Sequence, residues 1–133
     1  MQLLALRFSP GQDPLEEIER HICAHQIEAA CTVACLGSLT RAVLRFANQP
    51  DAVVLDGHFE ILSLNGLFSI HGSHAHIAIA DETGRTYGAH LLPGSRVYTT
   101  VELTLAVLPE VRFLRTFDPQ SGYPELDVQP ISF

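Results

Sequence analysis

The sequence predicts an α+β fold: a mostly antiparallel β-sheet accompanied by one main α-helix near the N-terminus. Three observations predict it. Only residues 13–26 combine helix-capping residues with a helical apolar stripe. Much of the remaining chain alternates apolar and polar side chains over short runs, the period of half-buried strands. Glycine, proline, asparagine and aspartate punctuate those runs as turn formers do. With 133 residues, the chain predicts a single domain, 1–133, large enough for a real core.

Residues 2–8 read as a first strand, ended by Ser9-Pro10-Gly11. Asp13 is placed to cap the helix, Pro14 fits its first position, and Glu16 completes a capping-box-like spacing. Leu15, Ile18 and Ile22 form one stripe, while Glu16, Glu17 and Glu19 lie early, where the helix dipole favours acids. The helix is expected to end near His25 or Gln26. Residues 28–36 read as a buried strand closed by Gly37-Ser38, and residues 40–46 as another. Asp56-Gly57 and Asn65-Gly66 carry hairpin-turn chemistry, so strands are expected on either side of each. Residues 74–80 and 85–92 flank the turn Asp81-Glu82-Thr83-Gly84. Residues 96–107 form a long strand and residues 112–117 a last short one, with an irregular tail from Asp118.

Charge bounds the function. Fifteen acids face eight arginines, with no lysine, for a net charge of −7. That balance excludes a protein that grips nucleic acid by coating it with cations. No apolar run reaches the ~20 residues of a membrane helix, and residues 1–8 lack the basic lead and length of a signal peptide, so a cytoplasmic location is expected. Cys23, Cys31 and Cys35 form no disulfide framework. On one strand, Cys31 and Cys35 would stand about 13 Å apart, too far to bridge; all three read as small buried side chains.

Seven histidines carry the chemistry. His74 and His76 are two apart, so on a strand they share a face. Turn parity decides whether His90 joins them. A loop of two or four residues sets His90 opposite Ala75, on the other face. A three-residue loop, Glu82-Thr83-Gly84, sets it opposite His76, and such loops favour glycine at the left-handed third position, where Gly84 stands. Three neutral imidazoles on strands can hold zinc or another divalent transition metal with a fourth position open, which suits hydrolysis or hydration. Glu60 and Glu102 are the strand carboxylates that could act as proton acceptor or further ligand. The same histidines also fit a polar sheet face or a hydrogen-bonded core. His21 and His25 stand four apart on a solvated helix face, and His58 and His71 receive no role. Phosphate loops, nucleophile elbows, His-Glu-x-x-His and Cys-x-x-Cys are absent, and Ser38 reads as a turn residue.

Ordered signatures add a resemblance. Residues 34–39 (ACLGSL), 42–46 (AVLRF) and 59–66 (FEILSLNG), then His74-Ala75-His76-Ile77, Asp81 with Gly84, Gly88-Ala89-His90-Leu91, residues 97–102 and Arg115-Thr116-Phe117-Asp118 with Gly122 resemble the PPC (plants and prokaryotes conserved) domain. The resemblance implies a compact α+β homotrimer, and it implies that His74, His76 and His90 match histidines forming a metal site in some prokaryotic members. It also brings a DNA-binding or transcription-regulatory label, which here would need arginines gathered on one trimer face. This chain has no Arg-Gly-Arg-Pro AT-hook, its Gly88-Ala89 replaces the usual paired glycines, and His58 replaces the arginine of the plant Gly-Arg-Phe-Glu-Ile-Leu pattern. The sequence therefore ranks a trimeric protein with a histidine metal or small-molecule site above a DNA binder.

Overall fold

In the computed structural model, which describes residues 1–132, Asp13 opens the single helix α1 (Pro14–Ala24). Its Oδ1 accepts from the amides of Leu15 (3.1 Å) and Glu16 (3.4 Å), satisfying donors that a helix start leaves free. Its Oδ2 accepts from the Gly94 amide at 2.6 Å, so the cap also ties the helix to the β-sheet. At the other end Gln26 adopts φ +51°, the Gln26 amide donates to Cys23 O and the Ile27 amide to Ile22 O. This is a Schellman closure, with glutamine in the position glycine usually takes. The helix boundaries thus fall where the sequence places them.

Among the described residues eight strands accompany the helix: β1 (Gln2–Phe8), β2 (Ala30–Arg45), β3 (Val53–Ser69), β4 (Gly72–Ala80), β5 (Thr86–Leu91), β6 (Arg96–Val107), β7 (Val111–Asp118) and β8 (Tyr123–Pro130). The first six form one sheet in the order β1-β6-β2-β3-β4-β5, and every pairing is antiparallel. The end of β2 also pairs with β5, through Leu44–Leu91 and Arg45–His90, so β2 to β5 close into a ring. Strands β7 and β8 form a separate hairpin. The α+β class, mostly antiparallel with one helix near the N-terminus, is the architecture observed.

The helix packs across β3 and β6. Ile18 and Ile22 are fully covered and join Leu39, Leu44, Phe68, Ile79 and Leu105 in the core. Each such side chain contributes on the order of 1.5–3 kcal/mol relative to exposure. No helix among the described residues is long and apolar enough to cross a membrane.

Three expected turns are strand interior instead. Gly37-Ser38 lies within the continuous β2, where Gly37 approaches β6 so closely that a Cβ would collide with Thr100 O. Asp56-Gly57 lies within β3: Asp56 pairs with Arg41 across the strands, and Gly57 (φ +157°) marks a bulge where the register shifts. Asn65-Gly66 also runs through β3, and Gly66 leaves room for the Phe68 ring. In each case glycine makes space or relaxes the backbone without reversing the chain. The real reversal is Ile70-His71, between Ser69 and Gly72.

The tail expected to be irregular forms β8, paired with β7 from Asp118–Tyr123 to Val111–Pro130. Its prolines, Pro124 and Pro130, obscured it, although an edge strand tolerates them. The cysteines are also less buried than expected: all are free, Cys23 is exposed, and Cys31 and Cys35 are half-buried.

Candidate metal centre

The turn after β4 sets the histidine geometry. Asp81 donates its amide to Arg85 O (2.9 Å) and accepts from the Gly84 amide (2.9 Å) at its own carbonyl, with Gly84 at φ +83°. Its carboxylate accepts from the amides of Thr83 (2.9 Å) and Arg85 (3.0 Å) and from the Thr83 hydroxyl (2.6 Å). The bond from the Thr83 hydroxyl is the leading cause holding the Asp81 carboxyl below its usual range. The loop therefore has three residues, and β4 and β5 pair with His76 opposite His90. The parity argument from the sequence holds.

His74, His76 and His90 converge on the outer face, while their neighbours Ala75, Ile77 and Leu91 point into the core. Ring centroids lie 4.9 Å apart for His74–His76, 4.6 Å for His76–His90 and 5.3 Å for His74–His90. One ring nitrogen of each lies within 4.8 Å of the other two. Nitrogens bound at ~2.0–2.1 Å to one tetrahedral ion stand about 3.4 Å apart, so modest side-chain rotation brings the set into coordination. The donor set fits a transition metal.

Electrostatics favour the neutral, ligating form of two of these rings. Desolvation first, then His76, Arg115 and His90, lowers the His74 pKa, which Glu125 partly offsets. Desolvation, His76 and Arg45 lower that of His90. The metal-binding state of both is thus the one present at neutral pH.

Strand registers extend the site sideways. Asn65 pairs with His76, His76 with His90 and His90 with Arg45, so four strands contribute one row of side chains. The β7–β8 hairpin closes the other side. A cavity of about 570 Å³ is lined by Arg45, His74, His90, Arg115, Tyr123 and Glu125, among others.

The expected carboxylates do not join this group. Glu60 pairs with Ala80, at the far end of β4, and lines a different cavity with His58 and Asp81. Glu102 sits on β6 opposite Arg7 and Leu36, and β6 pairs with neither β4 nor β5. Glu125, from the segment expected to be irregular, is the carboxylate that lines a cavity with His74, and its Oε1 accepts from the Ser121 hydroxyl at 2.9 Å. Sequence reasoning missed it because the β7–β8 pairing was missed. The remaining histidines stand apart. His21 and His25 stack on the helix at 4.1 Å between centroids, His58 Nδ1 lies 3.0 Å from Glu82, and His71 Nε2 lies 2.9 Å from Glu28.

Comparison with known proteins places these features. The family model of the Plants and Prokaryotes Conserved (PCC) domain matches residues 1–109. The Bifunctional protein GlmU of Synechococcus sp. (strain JA-2-3B'a(2-13)) is 42% identical over 132 residues, 99% of this chain but 21% of that protein. The chain thus spans about a fifth of the length of the curated relatives it matches. A hypothetical protein from Salmonella cholerae-suis has a crystal structure similar to this one, with a TM-score of 0.95 and 39% identity over 97% of this chain and 94% of that one. A metal-containing protein from Archaeoglobus fulgidus gives a TM-score of 0.79 and 27% identity over 96% of this chain and 94% of that one.

Proposed function

The chain belongs to the Plants and Prokaryotes Conserved domain family, and on that premise we propose that it is a metal-dependent ligand-binding protein centred on His74, His76 and His90. The observation that carries this reading is the convergence of three imidazole nitrogens within 4.8 Å on two paired strands. Such a set suits zinc, and also copper, iron or nickel. When bound, zinc supplies Lewis acidity at an open fourth position. Glu125, which lines the same cavity as His74 and accepts from the Ser121 hydroxyl, is the carboxylate that would hold a proton in that cavity. The Archaeoglobus protein described as metal-containing lends support.

Elemental analysis tests the reading. Protein purified without an affinity tag or chelator is expected to carry about one transition-metal ion per chain. His74→Ala is expected to reduce that content at least tenfold. Metal-free wild-type protein, or unchanged content in the variant, would overturn the assignment.

We further propose that the chain assembles as a homotrimer. Gly37 pairs with Ile61, which sets Leu36 beside Leu62, and these are 62% and 55% exposed. Apolar neighbours on an outer sheet face support contact with other copies. Sedimentation equilibrium at micromolar concentration is expected to return three times the chain mass; a monomer would sink this assembly. A nucleic-acid role has weaker support, since the chain is acidic and carboxylates already pair with Arg20, Arg41, Arg96 and Arg112.

A further inference from the structure

We infer that the histidine centre takes a small anionic ligand, one bearing a carboxylate or phosphoryl group, which Arg45 and Arg115 bind in the cavity between β5 and the β7–β8 hairpin. The inference rests on the metal reading above and names the ligand class of that same site.

Arginine use across the molecule is the first observation. Among the described residues, carboxylates pair with Arg20, Arg41, Arg96 and Arg112. Arg7 donates to the Thr100 hydroxyl, and Arg85 lies over the Tyr87 ring. Among the described residues Arg45 and Arg115 take part in no such contact, although the chain carries fifteen acids. These two come from elements distant in sequence, β2 and β7, yet both line the cavity that His74 and His90 line.

The second observation is an unsatisfied donor. Arg115 Nη2 is buried and has no hydrogen-bond partner among the described residues. Its side chain passes over Gly72, its Cγ 3.2 Å from where a Cβ on Gly72 would stand, so the glycine leaves space for it. A buried guanidinium donor without a partner costs the fold stability unless an acceptor arrives. Carboxylates and phosphates are the acceptors that match its planar fork.

Position and size agree. Arg45 stands directly opposite His90 in the ladder, so an anion held by Arg45 would lie beside the His90 imidazole. A cavity of about 570 Å³ has the size of small-molecule sites. Asn48 and Tyr123 add polar groups to its wall. Glu125 is the one acid there, and the Ser121 hydroxyl occupies one of its oxygens. Two arginines therefore outweigh one carboxylate before any metal adds its charge.

Isothermal titration calorimetry with inorganic phosphate, malonate and neutral glycerol tests this, using the chain as purified and after zinc loading. Phosphate or malonate is expected to bind and glycerol not to bind; whichever anion binds more tightly identifies the group the site prefers. Arg45→Gln and Arg115→Gln are each expected to weaken anion binding at least tenfold while zinc content stays at the wild-type level. If Arg115→Gln fails to fold, the half-buried Arg45 and the charge-preserving Arg115→Lys carry the test, the latter expected to weaken anion binding by loss of the fork. Absence of heat with both anions, or affinities within twofold of wild type in every folded variant, overturns the inference even if zinc binds. Arginine-dependent anion binding without any zinc binding upholds the pocket and overturns the metal reading.

Discussion

Zinc at a thousandfold excess over its dissociation constant is expected to raise the melting temperature by on the order of 10 °C, and His76→Ala to abolish the rise. The three proposed ligands come from β4 and β5, which an unfolded chain does not hold together, so an ion held by all three would bind the native state selectively. Linkage then adds about 4 kcal/mol at that excess, and for a chain of this size each kcal/mol shifts the midpoint by roughly 2–8 °C. His76 is the most informative ligand to remove, because it pairs with His90 across the strands and neighbours His74 on its own. Its side chain is exposed, so the variant should fold normally. Thermal melts with zinc and with chelator, monitored by circular dichroism, check this. An unchanged wild-type midpoint, or a rise that survives in the variant, contradicts a three-histidine centre.

Gly37→Ala is expected to destabilise the fold by roughly 3–5 kcal/mol or prevent folding, in the range reserved for severe single substitutions. Two effects add at this position. Its φ of +151° disfavours any side chain, and a Cβ would meet backbone atoms that cannot rotate away, Thr100 O and Val101 Cα, the latter at 2.8 Å. Gly84→Ala isolates the first effect. Gly84 has φ +83° with nothing within 4 Å of where a Cβ would stand, so that change should cost only about 1–2 kcal/mol. Urea denaturation of both variants gives the comparison. Equal losses at the two positions would show that the contact between β2 and β6 is not what selects glycine at 37.

The helix and the histidine triad were legible because their determinants are local. Asp13, Pro14 and the Leu15–Ile18–Ile22 stripe act within a few residues, so they read the same in isolation as in the fold. Asp81 and Gly84 define their turn within five residues, and that turn alone sets the parity placing His90 opposite His76. Strand limits were harder to read. Gly37, Gly57 and Gly66 offer the same backbone freedom as turn glycines, and what distinguishes them is a neighbour far away in sequence or a ring that needs the space.

By itself, then, the sequence determined the fold class, the helix with its N-terminal cap, and three imidazoles on one sheet face, because each follows from spacing or turn chemistry over short stretches. Tertiary structure decided what surrounds those imidazoles. Arg45 reaches them through the closing β2–β5 pairing, and Arg115 and Glu125 through the β7–β8 hairpin. Glu60 and Glu102, which strand reading offered as partners, end elsewhere. Which distant residues meet depends on strand order and register across the whole sheet. Those are fixed by the burial of Leu39, Phe68, Ile79 and Leu105 together, not by any local pattern around the charged residues.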